Sequence, residues 1–288
     1  MELLQNKCYF ISKSRKKTFF RVLERLLGIL KGNLGFMSAV SMPQLKAAGE
    51  THKGCVRRQN EDNFFYIALY PGYLLAAVAD GVGGHSGGEI ASYLCCHRMM
   101  LDWKALFREH SAPPESLQGK LLIESIQKAN LDIFRANYEQ KRPIPMCTTV
   151  AAAVFTPSMV IVAHMGDSRV YCLHKHKLRQ LTVDHTVENE MIEQGITDPE
   201  LLPGSHVISR ALGTNLQIKP ELHTYFRAPG DRYLLCSDGL SCCWGESEIA
   251  RVLSSSPTPR AANDLFIRNT LRRGAVDNVS IVSVFPED

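Results

Sequence analysis

YLLAAVADGVGGHSGG, residues 73–88, runs an unbroken apolar segment into a loop almost without side chains, with one carboxylate, Asp80, at the junction. An apolar run of this length bounded by glycine reads as a strand buried on both faces. Five of the eight residues after Asp80 are glycine, which permits positive φ and close backbone approach. Glycine-rich loops that cradle phosphate offer backbone amides or a lysine. An aspartate there repels phosphate unless a cation stands between the two. The stretch raises the question of what Asp80 holds.

Working outward, further β-rich segments occur at NFFYIAL (63–69), TTVAAAVF (148–155), MVIVAHM (159–165), RVYCL (169–173), DRYLLCS (231–237) and NVSIVSVF (278–285). Helical spacing appears at 88–101, 121–140 and 187–195, and in two late segments around 247–255 and 262–274, the last stopped by Gly274. Consecutive strands joined by short turns, such as TPSM (156–159), predict antiparallel pairing. Helices come in blocks rather than alternating with strands. The pattern predicts an α+β fold, with helices packed outside a largely antiparallel sheet system. Residues 185–212, with Pro199, Pro203 and Gly204, read as a long irregular excursion.

The chain of 288 residues is long enough for a substantial core. Its net charge of +4 conceals an asymmetry: residues 1–35 carry eight Lys/Arg against two Glu, and the remainder is slightly acidic. Phe19, Val22, Leu23, Leu26 and Leu30 repeat at helical spacing among basic residues, which suits an interfacial or partner-docking helix. A helix packed on the domain, an unstructured tail, or a start at Met37 or Met42 suit the same residues. The longest apolar run there, LLGIL (26–30), is too short to span a bilayer. Nine cysteines, odd in number and without a CxxC, fit neither a disulfide framework nor a zinc site. They read as small apolar residues in a reducing, cytoplasmic setting.

Four aspartates share the position of Asp80 at a strand end. Asp62 precedes NFFYIAL, Asp167 follows VIVAHMG, Asp238 follows YLLCS, and Asp277 precedes NVSIVSVF. Singly, each is a turn residue. Together they form a carboxylate set if the strand ends converge, and such a set needs a cation to offset its repulsion. Oxygen-only donors favour Mg2+ or Mn2+ over zinc. RRQNED (57–62) adds Arg57 and Arg58 beside Glu61 and Asp62, and a guanidinium binds phosphate bidentately. Metal carboxylates with a phosphate-facing arginine suit phosphoester hydrolysis.

In order, RRQNED (57–62), DGVGGHSGG (80–88), TT (148–149), GDSR (166–169), DHT (184–186), ISRALG (208–213), SDGL (237–240) and DN (277–278) resemble metal-dependent protein phosphatases of type 2C, the PPM family, in its compact bacterial branch. The likeness spans about 50–286. It implies a four-layer sandwich, two central antiparallel β-sheets flanked by antiparallel helix pairs, over a catalytic domain at 47–288 behind an extension at 1–46. It implies two Mn2+ or Mg2+ ions held by Asp80 as the bridge, the Gly81 backbone carbonyl, Asp238, Asp277 and, partly through water, Asp62. Glu61 matches a water-mediated ligand, and Arg57 the phosphate-binding arginine, with Arg58 structural. Asp167, shared with Asp238, matches the ligand of a third ion. Residues 185–208 match a variable flap beside the site.

The implied reaction is hydrolysis of phosphoserine and phosphothreonine in proteins by metal-activated water, without a phosphoenzyme; the alternative is an impaired member acting as a regulatory binding module. Substrates of a cognate Ser/Thr kinase are the expected partners of a cytoplasmic monomer. Nucleic acid is not expected, because the basic residues cluster in the head, without aromatic interleaving in the core. Residues 1–35 are available for membrane or partner contact. Two positions depart from the pattern. Cys147 stands where glycine usually precedes TT, and Val82 stands where many animal relatives carry a candidate general acid; His85, three residues later, reads as a packing residue of the glycine loop.

Overall fold

The computed structural model describes residues 45–82, 87–109, 113–141, 143–198, 200–203 and 207–286. Readings made on 1–44, and on Gly83, Gly84 and His85, lie outside the described residues. The described residues all lie within one compact unit, Met42–Asp288. The boundary expected between 46 and 47 falls inside the first strand, β1 (Leu45–His52).

The remaining strands are β2 (Asn63–Tyr70), β3 (Tyr73–Ala79), β4 (Gly81–Val82), β5 (Cys147–Thr148), β6 (Val150–Phe155), β7 (Met159–Met165), β8 (Arg169–His174), β9 (Lys177–Gln180), β10 (Glu221–Phe226), β11 (Arg232–Cys236) and β12 (Val279–Pro286). They form two five-stranded sheets, ordered β1-β12-β11-β8-β9 and β10-β7-β6-β3-β2, with β4 and β5 as a short separate pair. Every strand pairing is antiparallel.

Strand β3 has no polar face because it has no exposed face. Leu74, Ala76 and Val78 point between the sheets, where they join Tyr233, Leu235, Val282 and Val284. Leu75, Ala77 and Ala79 point outward beneath α1 (Gly88–Glu109) and α2 (Glu115–Glu139). On the opposite outer face, α5 (Glu246–Ser255) and α6 (Pro259–Arg272), the latter through Phe266, cover Leu234, Cys236 and Ile281. Phe155 and Tyr233 meet edge to face between the sheets, ring centroids 4.9 Å apart. Fully burying a side chain such as Leu75 contributes about 1.5–3 kcal/mol, so removing one of these layers unfolds the sandwich.

Local signals set the helix ends. Thr258 caps α6 by accepting the Ala261 N–H, and Pro259 occupies the first turn, where a missing N–H costs nothing. The helix stops before Gly274, as the sequence predicts. The 185–212 excursion contains the short helix α3 (Val187–Glu193), and its base is closed by the Thr186–Ile208 bridge. No helix among the described residues is long and apolar enough to cross a membrane.

Antiparallel pairing explains why distant aspartates gather. Asn63 pairs with Ala79, so Asp62 before β2 and Asp80 after β3 emerge at one sheet end. Cys236 pairs with Ile281, which brings Asp238 and Asp277 to one end of the other sheet.

Candidate metal centre

Asp62 is buried, and its Oδ2 accepts the Ser237 hydroxyl at 2.8 Å, a bond between residues at the ends of different sheets. Its Oδ1 is buried and has no hydrogen-bond partner among the described residues. Burial pushes the carboxyl up to about 7; the Ser237 and Ser280 hydrogen bonds oppose this, and the charges of Asp238 and Asp277 add to it. Asp167, also buried, repeats the pattern. Its Oδ1 lacks a hydrogen-bond partner, and burial, followed by repulsion from Asp238, raises it to about 7. Asp80 is held well above the carboxylate range by burial and then by Asp62, Asp238, Asp167 and Asp277. Asp62, Asp80 and Asp167 are thus each raised by burial and by neighbouring carboxylates, and a cation among them would offset that repulsion.

Backbone and hydroxyl contacts fix Asp80. The Thr149 N–H and the Thr148 hydroxyl donate to the Asp80 carbonyl at 2.9 and 2.8 Å, and the Asp80 N–H donates to Thr149 Oγ1 at 3.0 Å. Thr149 Oγ1 also bonds Ser168 Oγ at 2.7 Å, which links the Asp80 turn to the turn carrying Asp167. Asp238 opens the short helix α4 (Asp238–Ser241) directly after β11. Asp277 accepts Arg57 Nη2 at 2.7 Å.

Gly81 has a different constraint from the one the sequence suggests. A Cβ there would collide with the carbonyl oxygens of Glu61 and Gly88, and a Cβ on Gly88 would come within 2.7 Å of the Gly81 carbonyl oxygen. The two glycines let three backbone segments close around that carbonyl. Glu61 is pinned by its backbone: its N–H donates to Asn278 Oδ1 at 2.8 Å and its carbonyl accepts Ser92 Oγ at 2.5 Å. Its carboxyl is raised by burial and by Glu89. Arg58 is exposed. Cys147 is half-buried; its Sγ lies 3.3 Å from the Val82 carbonyl, and burial raises the thiol. A raised thiol is a poor nucleophile. Val82 offers no proton.

Sequence reading missed the supports. Asn278 donates to the Lys53 and Gln59 carbonyls at 3.0 and 2.9 Å and so holds the loop bearing Arg57. Glu89 places a buried oxygen, without a partner among the described residues, beside Glu61. No spacing rule distinguishes these from ordinary turn and helix residues.

An all-oxygen donor set with orphaned, buried carboxylate oxygens fits hard divalent cations. A second group, His164, Glu221 and His223, has ligand atoms within 4.8 Å of one another. There His164 Nε2 already donates to the Val183 carbonyl at 2.7 Å, and Glu221 Oε1 faces His185 at 3.1 Å.

A family model described as protein phosphatase 2C matches residues 52–276. The serine/threonine phosphatase stp of Listeria monocytogenes serotype 4b (strain F2365) is 32% identical over 243 residues, covering 83% of this chain and 95% of that protein. The serine/threonine protein phosphatase PstP of Mycobacterium tuberculosis (strain CDC 1551 / Oshkosh) is 34% identical over 242 residues, covering 83% of this chain and 44% of that protein. The crystal structure of the PstP catalytic domain in complex with 2 manganese ions superposes with a TM-score of 0.72 at 32% identity, covering 85% of this chain and 99% of that one.

Proposed function

The chain belongs to the protein phosphatase 2C family, and from that premise we propose how its residues carry out the metal-dependent hydrolysis of phosphoserine and phosphothreonine in proteins. The observation that carries the assignment is the carboxylate set gathered at the sheet ends, in which Asp62 and Asp167 each bury an oxygen without a hydrogen-bond partner among the described residues.

Asp80, the Gly81 carbonyl, Asp238 and Asp277 would hold two Mn2+ or Mg2+ ions, with Asp62 contributing partly through water, and Asp167 with Asp238 would hold a third. When bound, the ions neutralise the carboxylates and supply a water of lowered pKa for in-line attack on phosphorus. Arg57 donates to the phosphoryl oxygens, and Asp277 sets the direction of its guanidinium. Ser237 keeps Asp62 in one rotamer through the 2.8 Å bond. Thr148, Thr149 and Ser168 hold the Asp80 and Asp167 turns in fixed relation, so the ligands are arranged before an ion arrives. Glu61 orients water at the rim of the site.

Phosphorylated proteins are the substrates of a monomeric cytoplasmic enzyme, a cognate Ser/Thr kinase supplies them, and the basic residues 1–35 are available for membrane or partner contact. The impaired-module reading is not favoured, because every carboxylate of the set and Arg57 are present. Calorimetric titration of Mn2+ into chelator-treated protein separates the two readings. At least two bound ions, lost in Asp80→Asn, support the enzyme, and absence of binding returns the module.

A further inference from the structure

We propose that Glu221, outside the carboxylate centre, is a positioning residue that ties both the 186–210 segment and the Asp167 turn to one carboxylate oxygen. It opens the edge strand β10, directly opposite His164 of β7. Its Oε1 lies 3.1 Å from His185 Nε2 and 3.6 Å from Arg210 Nη1.

The first arm reaches the Asp167 turn. His185 is buried, its Nδ1 accepts the Gly166 N–H at 3.1 Å, and its own N–H donates to the Gly166 carbonyl at 3.0 Å. Because Nδ1 accepts, the other ring nitrogen, Nε2, carries a proton, and it stands in contact with Glu221 Oε1 at 3.1 Å, off hydrogen-bond alignment. Gly166 has φ +105°, and a Cβ there would lie 2.6 Å from Thr149 Cβ, so the turn depends on glycine. Asp167 is the next residue.

The second arm reaches the excursion. Arg210 Nε and Ser209 Oγ both donate to Glu190 Oε1, at 2.9 and 2.8 Å, which joins the end of the segment to α3. The Ser209 N–H donates to the His185 carbonyl at 2.9 Å, and the Val187 N–H to the Val207 carbonyl at 2.8 Å. Both arms therefore approach Oε1, His185 at 3.1 Å and Arg210 at 3.6 Å. The other oxygen, Oε2, faces His223 Nε2 at 3.4 Å and takes no part in either. Glu221 is also half-buried at a sheet edge, where its backbone ladder with β7 survives loss of the side chain.

The inference rests on the reading of Asp167 as a metal ligand for its effect on turnover, but not for the coupling itself. Hydrogen exchange on the chelator-treated full chain tests the coupling, and Mn2+-dependent hydrolysis of a phosphothreonine peptide tests the consequence. In Glu221→Ala, amides of both 164–169 and 186–212 should exchange at least ~10-fold faster, while 232–236 and 279–286 keep wild-type protection. The Mn2+ concentration for half-maximal activity should rise about 10-fold or more. Glu221→Gln, which keeps the acceptor for His185, should restore protection at 164–169, and His223→Ala should leave both segments unchanged. Faster exchange in both segments with unaltered Mn2+ dependence upholds the coupling and removes Asp167 from the ligand set. The proposal is overturned if either segment keeps wild-type protection in Glu221→Ala, if protection falls throughout the domain, if Gln loosens 164–169 as Ala does, or if His223→Ala loosens both segments.

Discussion

Arg57 Nη2 donates to Asp277 Oδ2 at 2.7 Å, and about half of the arginine side chain, 51%, remains exposed. One carboxylate thus aims the guanidinium and leaves its remaining donors free. The pairing raises the guanidinium pKa further, through the Asp277 hydrogen bond first, so the charge is present at every working pH.

Arg57→Ala should raise KM for a phosphothreonine peptide by roughly 10- to 100-fold, the worth of a hydrogen bond to a charged group. Mn2+ binding should change little. Arg57→Lys should recover only part of the loss, because an ammonium cannot bind two phosphoryl oxygens in one plane. Steady-state kinetics beside a Mn2+ titration check both points; equal KM in all three proteins counts against the assignment.

Gly81→Ala places a methyl against the Glu61 and Gly88 carbonyl oxygens. Overpacking of this kind costs about 1–3 kcal/mol. The three segments must part to admit it, which moves the Gly81 carbonyl. The expected result is a folded protein with a lower melting temperature and weakened Mn2+ binding, read by calorimetry and titration on the same sample.

The metal-free protein should lose stability as pH rises. Asp62 and Asp167 are held at about 7 in the fold, against about 3.9 in the unfolded chain. Between those values the folded state binds protons that the unfolded state has released, so folding weakens from about pH 4 to about pH 7. Mn2+ must displace the same protons. Its thermal shift in a melting assay should therefore be larger at pH 7.5 than at pH 5.5; an equal or smaller shift contradicts the cluster.

Asp80→Asn removes the carboxylate that burial and four neighbours disfavour most. Without metal the variant should melt above wild type at pH 7.5, and with Mn2+ below it. A substitution that stabilises the empty site and disables the filled one is the mark of a binding residue rather than a structural one.

Much of this was legible in the chain, for identifiable reasons. Strands β3, β6, β7 and β12 are buried on both faces, so their apolar runs stand out. The carboxylates could be found because each sits where an apolar run stops. Strand β10 was missed because ELHTYF alternates half-buried and exposed residues at a sheet edge, and polar alternation resembles a loop. That miss hid Glu221. Strand β1 was missed for a related reason: LKAAGETH has no fully buried residue. The role of Gly81 was half visible. Sequence indicates that a backbone must come close, but only the fold identifies Glu61 and Gly88 as the neighbours.

The most direct measurement is phosphate release from a phosphothreonine peptide by the full chain and by Asp80→Asn and Asp238→Asn, after chelation and after return of Mn2+. The account predicts that chelation abolishes wild-type activity, that Mn2+ restores it, and that neither variant exceeds about one thousandth of the wild-type rate. Chelator-resistant hydrolysis, or wild-type turnover in either variant, contradicts it.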